Sequence, residues 1–333
     1  MAIVSLIEPS PLGLYCPLGD FYIDPWRAVG RAVVTHAHAD HARAGSQHYW
    51  AAMDGERLLR HRLGQDISLT PLAYGEPVQF GPVTVSLHPA GHVLGSAQVR
   101  VSDGDRVWVV SGDYKRDPDP TCQPFEPIVC DTFITEATFA LPAYRWPPME
   151  EVMAELMAWW QANAQAGRSS MLLCYALGKA QRVLASLPSA LPGPVYLHGA
   201  VAPLTALYRE AGIAMAPATP VSQAPKGEDF SASLIIAPPS AAGTAWMRHF
   251  ADPSTAFASG WMRIRGNRRR RGHDRGFVIS DHVDWPTLLQ TIEQTGATQV
   301  YTTHGRADEL VRYLREQGLN AAPFVTPYGE VDE

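Results

Sequence analysis

The chain has 333 residues, of which 46% are hydrophobic and 18% charged. This length allows one large domain or two ordinary ones, and the composition is typical of a soluble globular protein. No apolar run approaches the ~20 residues that a membrane helix requires, and residues 1–9 contain Glu8 and no basic segment. We therefore expect no signal peptide, no membrane partner and a cytoplasmic location.

The net charge of −6 is unevenly distributed. Between Arg263 and Arg275 seven arginines stand against one aspartate, a local charge of +6, so subtraction from the net −6 leaves −12 on the remaining chain. A basic block on an acidic body is typical of a protein that binds a polyanion, although the total charge alone would argue against one.

Short strands separated by turns are predicted for residues 1 to about 140. Three runs there are rich in β-branched or aromatic residues: Ala32–Val34, Val83–Leu87 and Arg106–Val110. The pattern changes at Pro147-Pro148, after which Met149–Ala166 has a helical spacing of apolar residues and ends before a glycine.

Strands and helices then alternate, which favours βα units, a parallel sheet and the α/β fold class. The predicted strands are Ser170–Cys174, Val195–His198, Leu234–Ala237, a strand near Phe277–Ser280, and Gln299–Thr303. The predicted helices are Gly178–Leu187, Leu204–Ala211, Pro286–Thr295 and a last helix that ends at Gly318.

Four side chains that commonly bind metals follow the Ala32–Val34 strand: His36, His38, Asp40 and His41. The first two imidazoles suit one ion, and the last two side chains, past a tight turn, can face a second. Mixed histidine and aspartate ligands favour zinc, manganese or iron over calcium or magnesium, which prefer oxygen. A polar loop satisfied by solvent is the alternative, but adjacent imidazoles and a carboxylate need the compensation that a metal supplies.

Two further candidates follow later strands. His92 lies in a glycine-flanked turn, and Asp113 comes just after the strand that ends at Val110. Each alone is typical of an ordinary turn. Together with His36–His41 they have the order of a two-metal site, in which His92 completes a three-histidine set and Asp113 can bridge both ions.

These motifs stand in the order found in the metallo-β-lactamase superfamily, which the chain resembles. The four superfamily motifs are matched by Asp24, His36–His41, His92 and Asp113. More narrowly, the chain resembles the β-CASP nucleases, whose further motifs are matched by Thr135–Thr138, Ser280–Trp285, Thr302–Gly305 and the helix start Ala176–Gln181. It looks most like the bacterial DNA exonucleases associated with ATP-dependent DNA ligases, in the segments Gly19–Trp26, Gly112–Cys122 and Phe133–Trp146.

The resemblance implies an α/β fold in which a metallo-β-lactamase αββα sandwich, built from both ends of the chain, carries a smaller inserted α/β cap domain of the β-CASP type. We expect the first part of the sandwich in residues 1–144, the β-CASP insert in 145–260 and the second part in 261–333. The change of pattern at Pro147-Pro148 agrees with the first boundary.

The resemblance also implies two divalent metal ions, zinc or manganese, as cofactors. The expected ligands of the first are His36, His38, His92 and Asp113, and those of the second are Asp40, His41, Asp113 and His304. A hydroxide bridging metals about 3.5–4 Å apart would attack the phosphorus of a nucleic-acid backbone.

Three further residues are expected to assist that reaction beside Asp113. Asp24 would fix a ligand imidazole, and Glu136 would orient His282. His282 is the candidate general acid for the leaving oxygen, because an imidazole titrates near working pH. From its spacing alone, His282 could instead be a polar residue at a helix start.

The run Arg268–Arg271 is the main candidate for substrate binding, although runs of charge are usually solvated loops. It lies between Ser259-Gly260-Trp261 and His282, which favours a groove for phosphates, with Trp261 as a stacking surface for bases. Lys115 and Lys179 are further phosphate candidates.

We expect a DNA exonuclease that acts on single-stranded or processed ends in repair, in functional association with an ATP-dependent DNA ligase. RNA is the alternative substrate. His304 favours RNA, because the resemblance to ribonuclease J and related RNA-processing members includes a histidine at this motif, where Artemis-type DNA nucleases usually carry an apolar residue.

Two other classes of protein explain less of the sequence. A small-ester hydrolase of the same fold accounts for the metal ligands but not for the β-CASP motifs, the insert or the arginines. An inactive scaffold would have lost metal ligands that this chain retains.

Overall fold

The computed structural model describes residues 5–264, 272–303, 305 and 307–324. The chain divides into two compact units, of which the first comprises the residues up to Pro142 and again those from His282, and the second spans Ala143–Asp281. Within the described ranges, no helix is long and apolar enough to cross a membrane.

One sheet of the first unit follows chain order: β1 (Glu8–Ser10), β2 (Gly13–Cys16), β3 (Phe21–Ile23), β4 (Arg31–Val33), β5 (His48–Ala52) and β6 (Leu69–Leu72). The first three strands are antiparallel, and β3 to β6 run parallel. Helix α1 (Glu56–Leu63) precedes β6. The sequence pattern does not predict this helix, because only Leu58 and Leu59 of its residues are buried, too few for a clear period.

The other sheet of the first unit has seven strands among the described residues, in the order β19-β18-β11-β10-β9-β8-β7. Their bounds are β7 (Val78–Phe80), β8 (Val83–Pro89), β9 (Ala97–Ser102), β10 (Val107–Val110), β11 (Thr132–Glu136), β18 (Gln299–Thr303) and β19 (Asn320–Pro323). All five residues of β11 are buried, as befits a strand with parallel neighbours, β10 and β18, and both faces covered.

Two apolar layers cover the faces of this seven-stranded sheet. Between the two sheets, Val85 and Val99 pack in the same core as Ile23 and Val33. On the opposite face, residues such as Phe133 pack with the helices α5 (Trp285–Thr295) and α6 (Ala307–Glu316). The strands β4, β8 and β10, whose ends precede the candidate ligands, thus pack into these buried cores.

The second unit is a parallel sheet in the order β14-β13-β15-β12-β16-β17. Its strands are β12 (Ser170–Leu173), β13 (Val195–Leu197), β14 (Thr219–Pro220), β15 (Leu234–Ala237), β16 (Ser254–Ala258) and β17 (Arg275–Phe277), and its helices are α2 (Met149–Gln165), α3 (Lys179–Ser186) and α4 (Ala202–Glu210). The predicted alternation of strands and helices and the α/β class are confirmed.

The second unit extends beyond residue 260. The bounds of the expected insert, 145–260, stay a prediction. β17 pairs in parallel with β16 and adds the last strand to the sheet, and the unit ends at Asp281. The sequence analysis missed β16 and expected a strand nearer Phe277–Ser280 without indicating its sheet. A short apolar run does not reveal its partner strand, which explains the difference.

Candidate metal and catalytic site

The His36–His41 segment forms the loop that follows β4. Val34 N–H donates to the carbonyl of Trp50 at 2.8 Å, which holds the end of the strand, and Ala42 N–H donates to the carbonyl of His38 at 2.8 Å. The loop therefore turns back on itself within five residues. This turn brings side chains that are close in sequence to one place.

Four of the predicted ligands converge: His36, His38, His92 and Asp113 each offer one atom, and these atoms lie within 4.8 Å of one another. His38 Nδ1 is 3.0 Å from both His36 Nε2 and His92 Nε2. Asp113 Oδ2 is 3.6 Å from His36 Nε2 and 3.8 Å from His92 Nε2.

This donor set fits a divalent metal ion. Ligands about 2.0–2.1 Å from a tetrahedral zinc ion stand about 3.3 Å from one another, close to the separations above. Burial and the neighbouring imidazoles of His41, His92 and His38 hold the pKa of His36 well below its usual value. His36 is therefore neutral near pH 7 and has a lone pair to donate.

A second set of ligand atoms lies beside the first and shares Asp113. His41 Nε2 is 3.3 Å from Asp113 Oδ2 and 3.7 Å from Asp40 Oδ2. The fourth predicted ligand of this set, His304, lies outside the described residues. The His/Asp groups can thus hold metal, and Asp113 is placed to belong to both sets.

Asp24 supports this second set. Its backbone has the positive φ of 44° that aspartate tolerates better than most residues. Asp24 Oδ2 lies 2.7 Å from His41 Nδ1 and accepts from Thr35 Oγ1 at 2.6 Å, while Oδ1 accepts from Thr35 N–H at 2.7 Å. A carboxylate on Nδ1 fixes the orientation of the His41 ring, so that its Nε2 faces Asp113.

The electrostatics of this cluster attract positive charge. Burial lowers the pKa of His41, but the carboxylates of Asp113 and Asp24 outweigh it and hold that pKa well above its usual value. Burial raises the pKa of Asp113, yet the imidazoles of His41, His282 and His36 hold it well below its usual range. A site that favours an extra proton between carboxylates is one that a metal cation can occupy instead.

Glu136 and His282 form a buried pair beside the candidate metal ligands. His282 Nδ1 lies 2.8 Å from Glu136 Oε2, and Asp113, Glu136 and His282 each bring an atom into a second group within 4.8 Å. Glu136 also accepts from Tyr114 N–H at 2.7 Å and Thr138 Oγ1 at 2.6 Å. Burial raises the pKa of Glu136, against the lowering effect of His282.

Backbone geometry fixes the loop that carries Asp113. Gly112 has a φ of +56°, and a Cβ there would lie 2.8 Å from Cβ of Thr35. Only glycine meets both conditions. The sequence analysis did not identify Thr35, which contacts Asp24 and stands against Gly112, because a single threonine beside His36 carries no chemical signal of its own.

The structure describes only some of the predicted substrate-binding residues. Arg268, Arg269, Arg270 and Arg271 lie outside the described residues. The side chain of Lys115 is fully buried and forms an ion pair with Asp119, and phosphate binding by Lys115 stays a prediction. Lys179 is likewise buried, 3.6 Å from Asp281 and 5.1 Å from the ring of Tyr175. Sequence gives no measure of burial, so both lysines looked available for phosphate.

Trp261 is half-buried and packs with an apolar cluster of the second unit. Its ring meets that of Tyr144 edge to face, at 5.6 Å between centroids. Base stacking on Trp261 stays a prediction.

Curated proteins provide several partial matches. The chain is 32% identical over 315 residues to the "Probable DNA ligase" of Opitutus terrae, a match that covers 93% of this chain and 30% of that protein. It is 29% identical to Ribonuclease TTHA0252 of Thermus thermophilus over 44% of this chain and 32% of that protein. It is also 29% identical to the transcription termination factor FttA of Methanocaldococcus jannaschii over 41% of this chain and 23% of that protein.

The chain thus spans about a third or less of these curated relatives. No protein-family model matches it. Among solved structures, a protein of unknown function from Enterococcus faecalis aligns with a TM-score of 0.60 at 12% identity, over 90% of this chain and 80% of that one. This last likeness concerns the fold alone.

Proposed function

We propose that the chain is a metal-dependent nuclease that hydrolyses phosphodiester bonds of DNA. The observation that carries the proposal is the buried convergence of His36, His38, His92 and Asp113, with the His282–Glu136 pair beside them. The likeness to a protein named as a ribonuclease supports hydrolysis of nucleic acid in general.

We also propose that the first unit is a metallo-β-lactamase αββα sandwich and the second a β-CASP-type insert. The shared core of the two sheets, the helices on the far side of the seven-stranded sheet, and the return of the chain to the first unit at His282 support this. The proposed cofactors are two zinc or manganese ions. The second would require Asp40, His41, Asp113 and His304.

In the proposed reaction the chain supplies the ligands, their supports and a proton donor. Divalent ions held by the His/Asp cluster would supply a nucleophile at neutral pH and neutralise charge on the phosphodiester. Glu136 engages Nδ1 of His282, which leaves Nε2 to deliver a proton to the leaving oxygen. Asp24 holds His41 in one orientation and so keeps its Nε2 directed at Asp113.

DNA is proposed over RNA because the match to a protein named as a DNA ligase covers nearly the whole chain. The chain corresponds to less than a third of that protein, so a nuclease and a ligase joined in one polypeptide would act on the same DNA ends. This supports a role in repair in functional association with an ATP-dependent DNA ligase. The basic run at Arg268–Arg271 would bind phosphates.

RNA is the second candidate, and a specific observation favours it. The matches to a ribonuclease of Thermus thermophilus and to an endoribonuclease of Aspergillus fumigatus cover 44% and 46% of this chain. His304, by its resemblance to RNA-processing members, points the same way.

The test compares end-labelled single strands of DNA and RNA with the same base sequence, incubated with purified protein and Mn²⁺ or Zn²⁺. We expect degradation of DNA, no cleavage in chelator, and none by Asp113→Asn, which loses the shared ligand. The product ladder reports the polarity. Cleavage of RNA in preference would support the second candidate, and metal-independent cleavage, or cleavage by Asp113→Asn equal to wild type, would refute the proposed site.

A further inference from the structure

Lys115 and Asp119 form a buried ion pair close to the metal ligands. The Lys115 side chain is fully buried and that of Asp119 is 4% exposed. The other oxygen of Asp119, Oδ1, accepts from Thr121 N–H at 2.8 Å and from Thr121 Oγ1 at 2.6 Å. Asp119 thus links Lys115 to Thr121, and these contacts hold the chain from 115 to 121 in one conformation.

The backbone of Lys115 joins the two turns that carry His92 and Asp113. Lys115 lies two residues after Asp113, and its N–H donates at 3.0 Å to the carbonyl of Ala90, two residues before His92. The turns are pressed together there, because a Cβ on Gly91, whose φ is +71°, would lie 2.4 Å from the Lys115 carbonyl oxygen.

The same loop meets the His92 turn again further along the chain. Glu126 N–H donates to the carbonyl of Pro89 at 3.2 Å. The buried amide of Gln98 bridges the two segments, since its Nε2 donates to the carbonyls of Pro89 and Glu126 at 2.9 and 2.7 Å. The shape of residues 115–126 therefore bears directly on the backbone before His92.

We propose that Lys115, Asp119 and Thr121 are positioning residues that set the separation of His92 and Asp113 for metal binding. A buried pair tolerates one arrangement, because loss of either partner leaves an uncompensated charge away from water. Lys115 thus acts on the substrate chemistry only through the ligands. The inference rests on the proposed metal site but not on the choice of DNA or RNA.

The test measures zinc affinity by competition with a chromophoric chelator for wild type and Asp119→Asn. Asparagine keeps the size and an oxygen for Thr121 but removes the charge that faces Lys115. We expect zinc to bind about 10–100-fold more weakly, as is typical when a group that supports metal ligands is lost. The absorption bands of Co²⁺ bound in place of zinc should shift as well, which a general loss of stability does not cause.

Lys179→Met is the matched control, because Lys179 is an equally buried lysine with an aspartate partner in the second unit. It should lower stability but leave zinc affinity and the Co²⁺ spectrum unchanged. The double variant Lys115→Met/Asp119→Leu removes both charges, which restores much of the stability. We expect its zinc affinity to stay reduced.

Wild-type affinity in Asp119→Asn would overturn the inference, as would an equal loss in Lys179→Met. If Asp119→Asn does not fold, wild-type affinity in the double variant overturns it equally. A wild-type protein that binds zinc but cuts no nucleic acid would contradict the proposed function and leave this inference standing. A wild type that binds neither zinc nor manganese would refute both.

Discussion

The two units each bury a cluster of charged side chains, but they balance the charge differently. In the second unit Asp281 lies 3.6 Å from Lys179 Nζ and 3.9 Å from Arg182 Nη1, so cations of the chain face the carboxylate. In the first unit the carboxylates of Asp24 and Asp113 are faced, among the described residues, by imidazoles. The partners of the carboxylate in the second unit are thus a lysine and an arginine, whereas those in the first unit are histidines.

The difference supports the proposal that the first cluster holds metal and that the second serves the stability of the fold. In the second cluster cations of the chain itself face Asp281, so this cluster can serve stability without a ligand. Imidazoles can offer lone pairs as well as take up protons, so the His/Asp groups of the first cluster can hold a metal. Burial alone would not have distinguished the two.

The largest effect is expected at His282. His282→Ala should slow single-turnover cleavage by about 10²–10⁴-fold, the usual contribution of a positioned proton donor, with bound metal unchanged. His61→Ala, on the exposed face of α1, is the control and should cleave like wild type. An unaltered rate would remove His282 from the reaction, and loss of metal would place it among the ligands.

A stability measurement tests whether the second cluster is complete without metal. Arg182→Met removes the cation that donates to the Ser280 carbonyl at 2.6 Å, and leaves buried polar groups uncompensated. The free energy of unfolding should fall by about 3–5 kcal/mol in denaturant titrations. The loss should be the same with metal and with chelator, and a loss that appears only in chelator would contradict the comparison.

In the first unit, by contrast, the free energy of unfolding should depend on metal. Zinc at 100 times its Kd should raise the free energy of unfolding by about 2.7 kcal/mol, because it binds the folded chain. Asp113→Asn should abolish this gain, whereas Arg182→Met should retain it. Equal gains in wild type and Asp113→Asn would mean that zinc binds elsewhere.

The smallest change is expected from the arginines at 268–271, which lie outside the described residues. Their replacement by glutamine should flatten the plot of log affinity for single-stranded DNA against log salt concentration by about one unit per lost phosphate contact. The same replacement should leave zinc affinity alone. A slope equal to that of wild type would mean that the run is a solvated loop.

Much of the fold could be predicted from local pattern. The strands Leu234–Ala237 and Gln299–Thr303 have the predicted bounds, because each is a compact β-rich run between turns. The helix Trp285–Thr295 begins one residue before its prediction, where Asp284 caps it by accepting from Thr287 N–H. By contrast, the end of the second unit depends on β17 pairing with β16, a long-range choice that no local pattern records.

In the candidate site, too, some features could be predicted from the sequence and others could not. His36, His38, His92 and Asp113 could be proposed because their order is distinctive, and the structure brings them together. The burial of Lys115 and Lys179 could not be predicted, because the sequence does not show whether a lysine side chain faces solvent or an aspartate. Lys115 is the example, since its partner is only four residues away and yet the pair is buried.

The return of the chain to the first unit has a consequence for its synthesis. Glu136 cannot pair with His282 until the ribosome has added 146 further residues. In the same way, β11 cannot pair with β18 until the residues up to Thr303, the partner of Glu136, have been made. At about 5–20 residues per second, the ribosome needs roughly 7–30 s to supply those 146 residues. The whole second unit is translated during that interval. A nascent chain therefore contains His36, His38, His92 and Asp113 before the Glu136–His282 pair can form, and under the proposed function it would be inactive until then.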